Sequence, residues 1–179
     1  GPTSACDAHI EVASHSDFTL GTNDFTIEGW FFLQVPAPSQ DYPTARIGYR
    51  MSVGYRTHLF DFRELDGAYS NKRAPMLRMG GSGGSSGTAD SIKFQYHVTG
   101  SDRIQSSIQT PEIENQWFHI AIVRNSSTTT MYVNGVSEGT WSDSTNYNEI
   151  DKLWIGRHGY SGNHNFCLLY TSDAADERS

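Results

Sequence analysis

Residues 117–156 read WFHIAIVRNSSTTTMYVNGVSEGTWSDSTNYNEIDKLWIG, and this stretch carries the strongest indication of the fold in the sequence. An apolar run that ends in Met131-Tyr132-Val133 is followed by Asn134-Gly135 and by a second run that begins at Val136. Asn-Gly supplies the two positive φ values of a type I′ turn, whose twist matches that of paired antiparallel strands. The pattern therefore predicts a β-hairpin with its turn at Asn134-Gly135.

The same stretch resembles the laminin-G-like domains of the concanavalin A-like lectin/glucanase jelly-roll family. Members of that family tend to read W-x-H-x-A-x-V-R, then Y-V-N-G, then L-x-I-G. Residues 24–30 (DFTIEGW) and 59–63 (LFDFR) resemble two further strand signatures of the family. The resemblance implies an all-β fold, an antiparallel β-sandwich of the concanavalin A-like jelly-roll type, over residues 8–166. Within residues 117–156, the residues that carry the resemblance are Trp117, His119, Ala121, Val123, Arg124, Tyr132, Val133, Asn134, Gly135, Leu153, Ile155 and Gly156.

Length and composition agree with one β domain. A chain of 179 residues suits a single core, and 17 glycines with 12% aromatic residues favour short strands and turns over helices. The net charge is -7 and the basic residues are scattered singly, so we expect no nucleic-acid partner. No apolar run approaches the roughly 20 residues that cross a bilayer, so we expect no membrane insertion.

Further segments show strand patterns. Residues 9–12 and 24–33 predict two strands, and apolar residues on both faces of the second predict a central position in a sheet. Residues 59–63 and 76–79 predict a hairpin pair. In residues 92–98 apolar side chains alternate with polar ones, which predicts a strand with one solvated face.

Other segments complete this assignment. Residues 118–123 are apolar on both faces and predict an interior strand. Gly80 to Gly87, GGSGGSSG, predicts a flexible loop. We expect Trp30 and Trp117 to lie in the core, and Trp141 to begin a polar loop.

Both ends of the sequence depart from the family pattern. Residues 1–7 show no usable period and are interpreted as a fragment edge or tag. Residues 167–177, CLLYTSDAADE, resemble a translated sequencing adapter, which predicts that 167–179 is a non-native tail, that the domain lacks its last strand and that the source is metagenomic. The alternative is a natural, divergent C-terminus. Cys6 and Cys167 could pair in an oxidising compartment, but not if Cys167 belongs to such a tail.

Catalysis is not expected from these residues. Retaining glycosidases need two carboxyl groups about 5–5.5 Å apart, and those of this fold carry them in an E-x-D-x-x-E pattern that does not occur here. Glu64 and Asp66 alternate at a predicted strand end, and Glu112 and Glu114 alternate in a predicted turn. The seven histidines lack the paired spacing of a zinc site.

Two sets of residues are candidates for binding. Loop aromatic residues can stack on sugar rings, and loop oxygen ligands can hold calcium, which many members of the family bind. The alternatives are packing of each aromatic residue beneath its own loop, and a solvated connection in place of the calcium site. The candidate ligand-binding residues are Tyr42, Tyr49, Tyr147, His158 and Tyr160, and the candidate calcium ligands are Asp143, Asn146, Asn148 and Asp151.

The resemblance implies a non-catalytic module that binds a carbohydrate or a cell-surface ligand. We expect it to act in adhesion within a larger phage structural or secreted bacterial protein, at an extracellular, cell-surface or virion location. The alternative is a purely structural or protein–protein interaction module of a virion or surface protein, and a glycoside hydrolase of the same fold is the third hypothesis. An exposed groove of ordered aromatic residues favours the first, and a smooth polar surface favours the second.

Overall fold

The structure, a computed structural model, describes residues 9–32, 57–63, 72–80, 92–109, 112–150 and 152–157. These ranges form ten β-strands and one short 3-10 helix (Ser16–Phe18), and they contain no α-helix. The strands are β1 (Ile10–Val12), β2 (Phe25–Phe32), β3 (Thr57–Asp61), β4 (Met76–Gly80), β5 (Lys93–Val98), β6 (Ser101–Gln109), β7 (Trp117–Asn125), β8 (Thr128–Val133), β9 (Val136–Ser142) and β10 (Leu153–Ile155).

The strands form two antiparallel sheets, which confirms the expected all-β jelly-roll sandwich. The six-stranded sheet has the order β1-β10-β3-β4-β5-β6, and the four-stranded sheet has the order β2-β7-β8-β9. The predicted pairing of β3 with β4 is confirmed, and β7 is an interior strand as expected.

One face of each sheet contributes to a shared core. Phe94 and Tyr96 of β5 and Phe118 and Ile120 of β7 belong to one buried cluster. The rings of Phe94 and Phe118 lie 5.7 Å apart and join the two sheets. Burial of each such side chain contributes roughly 1.5–3 kcal/mol, so the sandwich is stabilised mainly through these inner faces.

The hairpin of β8 and β9 has the predicted turn. Asn134 and Gly135 have φ values of 50° and 78°, as a type I′ turn requires. The Asn134 side-chain oxygen accepts a hydrogen bond from the His119 N–H at 2.9 Å, and the Asn134 N–H donates to the His119 carbonyl at 2.8 Å. The turn is therefore fixed to β7 as well as to its own two strands.

Strands β6 and β9 bring the two sheets together along one side of the sandwich. Ser107 of β6 donates its N–H and its hydroxyl to the Glu138 carboxylate of β9, at 2.5 and 2.7 Å. The Arg103 guanidinium lies 4.8 Å from the Trp141 ring centroid. Trp141 belongs to β9, so its assignment to a loop was wrong.

Three predicted environments were also wrong. β2 is not central: within the described residues it lies at one end of the four-stranded sheet, and its outward face, with Thr26, Glu28 and Trp30, is exposed. The polar face of β5 is buried and not solvated, because Gln95 and His97 have polar partners within the protein, which offset the cost of burial. Trp30 and Trp117 are exposed and not core residues.

Some of the remaining expectations concern described residues, and others concern residues outside the described ranges. Gly80 ends β4, where it pairs with Lys93, so it does not belong to the predicted loop. Residues 81–87 of that loop, Cys6 and Cys167 and the segment 167–179 lie outside the described residues. Of the residues described, none forms a helix long and apolar enough to cross a membrane.

Candidate ligand-binding surface

The outer face of the four-stranded sheet carries a cluster of aromatic rings. Alternation along β2 directs Phe25 and Phe31 inward, and therefore directs Trp30 and Phe32 outward. In the register of the sheet, Trp30 pairs with His119 of β7, and Phe32 pairs with Trp117. We call the four outward side chains Trp30, Phe32, Trp117 and His119 the aromatic face.

The aromatic face consists of two ring pairs in consecutive cross-strand rows. The centroids of Trp30 and His119 lie 5.1 Å apart with their planes at 51°, and those of Phe32 and Trp117 lie 5.4 Å apart at 58°. Each pair is tilted, so neither ring covers its partner face to face. Trp30 remains 65% exposed and Trp117 remains 55% exposed.

The two exposed indoles leave a large apolar area of this face in contact with solvent. Each square ångström of apolar surface left in water forgoes roughly 25 cal/mol of stabilisation. A single exposed apolar side chain needs no explanation, but a contiguous patch marks an interaction site. Trp30 and Trp117 lie diagonally on adjacent strands, with His119 opposite Trp30 and Phe32 opposite Trp117, and together they form such a patch.

Polar groups border the aromatic face without making it cationic. The His119 Nε2 lies 3.4 Å from the Glu28 carboxylate, which is more than half exposed. Ala121 follows His119 on the same face, between Glu28 of β2 and Tyr132 of β8. The only lysine or arginine of the four described strands is Arg124, and its side chain is buried. The outer face of this sheet therefore offers aromatic rings, hydroxyls and one carboxylate.

Tyr147 lies in the core, so its prediction as a sugar-stacking residue was wrong. It is 1% exposed, and its ring packs edge-on against Phe25 at 5.4 Å. Its hydroxyl donates to the Asp143 carboxylate at 2.7 Å and lies 3.0 Å from the Tyr96 hydroxyl. Burial, first of all, raises the pKa of Tyr147 well above its usual value. Tyr42, Tyr49, His158 and Tyr160 lie outside the described residues.

Asp143 is fully buried and its carboxylate is already occupied by protein donors. Its Oδ2 accepts bonds from the Thr129 and Tyr147 hydroxyls, both at 2.7 Å, and its Oδ1 accepts from the Thr145 N–H at 3.0 Å. Arg124 donates to the carbonyls of Asp143 and Thr145 at 2.8 and 3.0 Å. These residues fix the loop after β9 and connect it to the core.

This arrangement does not suit Asp143 as a calcium ligand, because binding would break its present bonds. Asn146 and Asn148 are exposed, and Asp151 lies outside the described residues. In the part of the chain that the structure describes, no group of three or more histidine, cysteine, aspartate or glutamate side chains could hold a metal ion. Calcium binding by the loop stays a prediction, and it would have to proceed without Asp143.

The outer face of the six-stranded sheet carries a buried ionic network. Arg78 donates to the Asp102 carboxylate at 2.6 Å, His97 contacts the same carboxylate at 2.9 Å, and Arg63 pairs with Asp61 at 2.6 Å. These side chains are at most 9% exposed. A ligand could not reach them without a change in the structure, so we assign them a structural role.

Comparison with known proteins identifies the fold family. A family model for laminin-G-like domains, described as the concanavalin A-like lectin/glucanases superfamily, matches residues 4–167. Among proteins with curated functions, none matches this sequence.

Solved structures show the same fold at low identity. Domains LG4-5 of the mouse laminin alpha1 chain are 13% identical with a TM-score of 0.50, over 89% of this chain and 35% of that one. A putative carbohydrate binding protein from Bacteroides ovatus ATCC 8483 is 16% identical with a TM-score of 0.51, over 88% and 38%. A heptameric SAP-like pentraxin from Limulus polyphemus is 13% identical with a TM-score of 0.52, over 92% and 67%.

This chain spans little more than a third of the first two solved chains, and at these identities the likeness concerns the fold alone. The family model, in contrast, covers nearly the whole sequence. The chain therefore belongs to the concanavalin A-like lectin/glucanases superfamily, as a laminin-G-like domain.

Proposed function

We propose that this protein is a non-catalytic module that binds a neutral carbohydrate through the aromatic face. The observation that carries the proposal is the exposure of Trp30 and Trp117 on adjacent strands of one sheet face. Sugar rings are amphipathic: their C–H faces stack on aromatic rings, and their hydroxyls bond to nearby polar groups. Glu28 and His119 supply such polar groups beside Trp30.

The charges of this surface support a neutral ligand. An anionic glycan would need lysine or arginine side chains to offset its charge, and the described strands of the four-stranded sheet expose none. The whole chain is also negative, with a net charge of -7. A sulfated or uronate-rich chain would therefore be repelled rather than attracted.

The same surface supports binding without hydrolysis. Glycoside hydrolysis requires two carboxyl groups that flank the scissile bond. The four described strands contain two carboxylates, Glu28 and Glu138, and Glu138 is bonded to Ser107 of the other sheet. A single carboxylate remains at the aromatic face. The superfamily includes glucanases as well as lectins, so this local chemistry supports the lectin-like alternative.

The wider setting belongs to the same proposal. We place the module outside the cell, on a cell surface or a virion, as part of a larger phage structural or secreted bacterial protein. Adhesion to glycans suits that setting, because the ligand is presented there on neighbouring surfaces.

Titration of the purified protein with neutral polysaccharides, followed by calorimetry, tests the proposal. We expect one or more to bind, and we expect Trp30→Ala and Trp117→Ala each to weaken binding about tenfold or more. Val12→Ala, a partly exposed apolar residue of the other sheet, is the matched control and should bind normally. Binding that is unchanged in both tryptophan variants would contradict the proposal.

The same variants test the alternative of a protein–protein interaction module. An exposed apolar patch also suits a protein partner or a second copy of the chain. If sedimentation shows that the wild type self-associates, that the tryptophan variants are monomeric and that no glycan binds, the aromatic face is a protein interface.

A further inference from the structure

The two indoles of the aromatic face occupy separate positions along it. Trp30 lies in the row that pairs with His119, and Trp117 lies in the next outward row, which pairs with Phe32. Diagonal neighbours on paired antiparallel strands are about 7–8 Å apart. Each indole also packs against a different ring, Trp30 against His119 and Trp117 against Phe32. Trp30 and Trp117 therefore form two platforms and not one.

The two platforms lie on an open surface. A site that recognises a single sugar or a chain end encloses it, because only side walls can distinguish an end from an internal unit. Both indoles are more than half exposed. The row next to Trp30 and His119 carries Glu28, Ala121 and Tyr132, and the row after it carries Thr26 and Val123. The exposed faces of the two indoles are therefore open to solvent, and a chain stacked on them is not enclosed as a single unit would be.

We propose that the aromatic face binds an internal stretch of a linear, neutral polysaccharide, with consecutive sugar units stacked on Trp30 and Trp117. This inference rests on the proposed carbohydrate function and adds the class of ligand. Glu28 and His119 lie beside the Trp30 platform. They form hydrogen bonds with the hydroxyls of the sugar unit that stacks there, and the Glu28 carboxylate acts as an acceptor. The Trp117 platform has Phe32 as its neighbour and contributes chiefly apolar contact.

Chain length is the variable that tests this inference. We would measure binding of the mono-, di-, tri- and hexasaccharides of whichever neutral polysaccharide the protein binds. We expect affinity to rise about tenfold or more from the monosaccharide to the trisaccharide, because the second platform adds a second contact. Beyond the length that covers both platforms, we expect little further gain.

Replacement of either tryptophan should reduce the dependence of affinity on saccharide length. In Trp30→Ala and in Trp117→Ala one platform remains, so the ratio of trisaccharide to monosaccharide affinity should fall towards one. Trp30→Phe keeps a smaller ring and should retain part of the ratio. Because both tryptophans are exposed, the denaturant midpoints of these variants should match the wild type, which separates lost binding from lost folding.

The two proposals fail in different ways. If the monosaccharide binds as tightly as the hexasaccharide and Trp30→Ala weakens both equally, the face recognises a single unit. The present inference is then wrong, although the carbohydrate function stands. If no neutral saccharide of any length binds, the carbohydrate function itself is wrong.

Discussion

Asp143 is the residue on which the loop after β9 most depends. Its carboxylate accepts bonds from Thr129, Thr145 and Tyr147, and the Arg124 Nε lies 3.7 Å from it. A buried charge is tolerated only when it is paired and hydrogen-bonded, and here donors surround it. The loop is therefore held by the buried side chains of Asp143 and Arg124, together with the backbone bridge between Gly21 and Tyr147.

Replacement of this carboxylate should destabilise the fold. We expect Asp143→Asn to lower the free energy of unfolding by about 3 kcal/mol, because Arg124 then keeps a buried charge without its counter-charge. The midpoint of urea unfolding measures this. Asp17→Asn, at a side chain that is 82% exposed, is the control and should change stability by less than about 0.5 kcal/mol. Equal midpoints for the two variants would refute the role given to Asp143.

His97 and Asp102 should make stability depend on pH. Burial lowers the pKa of His97 below its usual value, despite the opposing bond to Asp102. Burial alone would raise the pKa of Asp102, but the bond from His97 and the charge of Arg78 outweigh it, so that pKa is also lowered. Both groups therefore bind protons more readily in the unfolded chain than in the folded protein.

The expected direction is a loss of stability on acidification. The contribution of His97 is complete above about pH 6.5 and declines below it, by up to about 1.4 kcal/mol per pH unit, and Asp102 adds to the loss below about pH 4. Urea midpoints measured from about pH 7.5 to about pH 5 should fall more steeply in the wild type than in His97→Gln. Parallel curves would show that His97 does not titrate in this way.

At the level of single residues, alternation predicted which side chains share a face but not which face is covered. Trp30 and Phe32 lie opposite Phe25 and Phe31, and the large apolar rings of Trp30 and Phe32 indicated a covered face although Thr26 and Glu28 on the same face are polar. The prediction for Tyr147 was wrong in the opposite direction, because Tyr147 was expected to be accessible and is buried. A loop tyrosine looks accessible in the sequence, but a buried acceptor for its hydroxyl allowed it to join the core.

Among the elements, local pairings were predictable and distant ones were not. The turn at Asn134-Gly135 follows from two adjacent residues, and so does the register of β8 and β9 around it. The pairing of β1 with β10 joins Glu11 to Trp154 across almost the whole chain. Each of these strands has only three residues, and so short an alternating pattern is not enough to predict which strand pairs with it.

Two glycines of the β8–β9 hairpin provide a matched test of backbone conformation. Gly135 has φ of +78°, and a methyl group there would meet nothing within 4 Å. Gly139 has φ of +151°, and its methyl group would lie 3.2 Å from the Ile104 side chain of the other sheet. The first position therefore isolates the conformational cost, and the second adds a steric conflict between the sheets.

We expect Gly135→Ala to destabilise the protein by about 1–2 kcal/mol and Gly139→Ala by a larger amount, about 2–4 kcal/mol. Urea midpoints rank the two variants. If Gly139→Ala proves the milder change, β6 and β9 approach each other less closely than the structure indicates.

At the scale of the whole molecule, the two outer faces of the sandwich differ in kind. The six-stranded sheet carries outward charged groups, such as Arg78 and Asp102, that are buried and paired with one another. The four-stranded sheet leaves its aromatic rings exposed to solvent. The outer face of the six-stranded sheet therefore contributes to the stability of the fold, whereas the outer face of the four-stranded sheet is accessible to a ligand. For this reason we expect the ligand at β2 and β7.

The placement of the tryptophans also makes the protein its own optical probe. Trp30 and Trp117 are open to a dissolved quencher, whereas Trp154 is 3% exposed and Trp141 is partly covered. Acrylamide should quench the red-shifted emission of the first two and leave that of Trp154 as an internal reference. A saccharide lying on both platforms would shield them from the quencher, so occupancy could be followed by intrinsic fluorescence without any label.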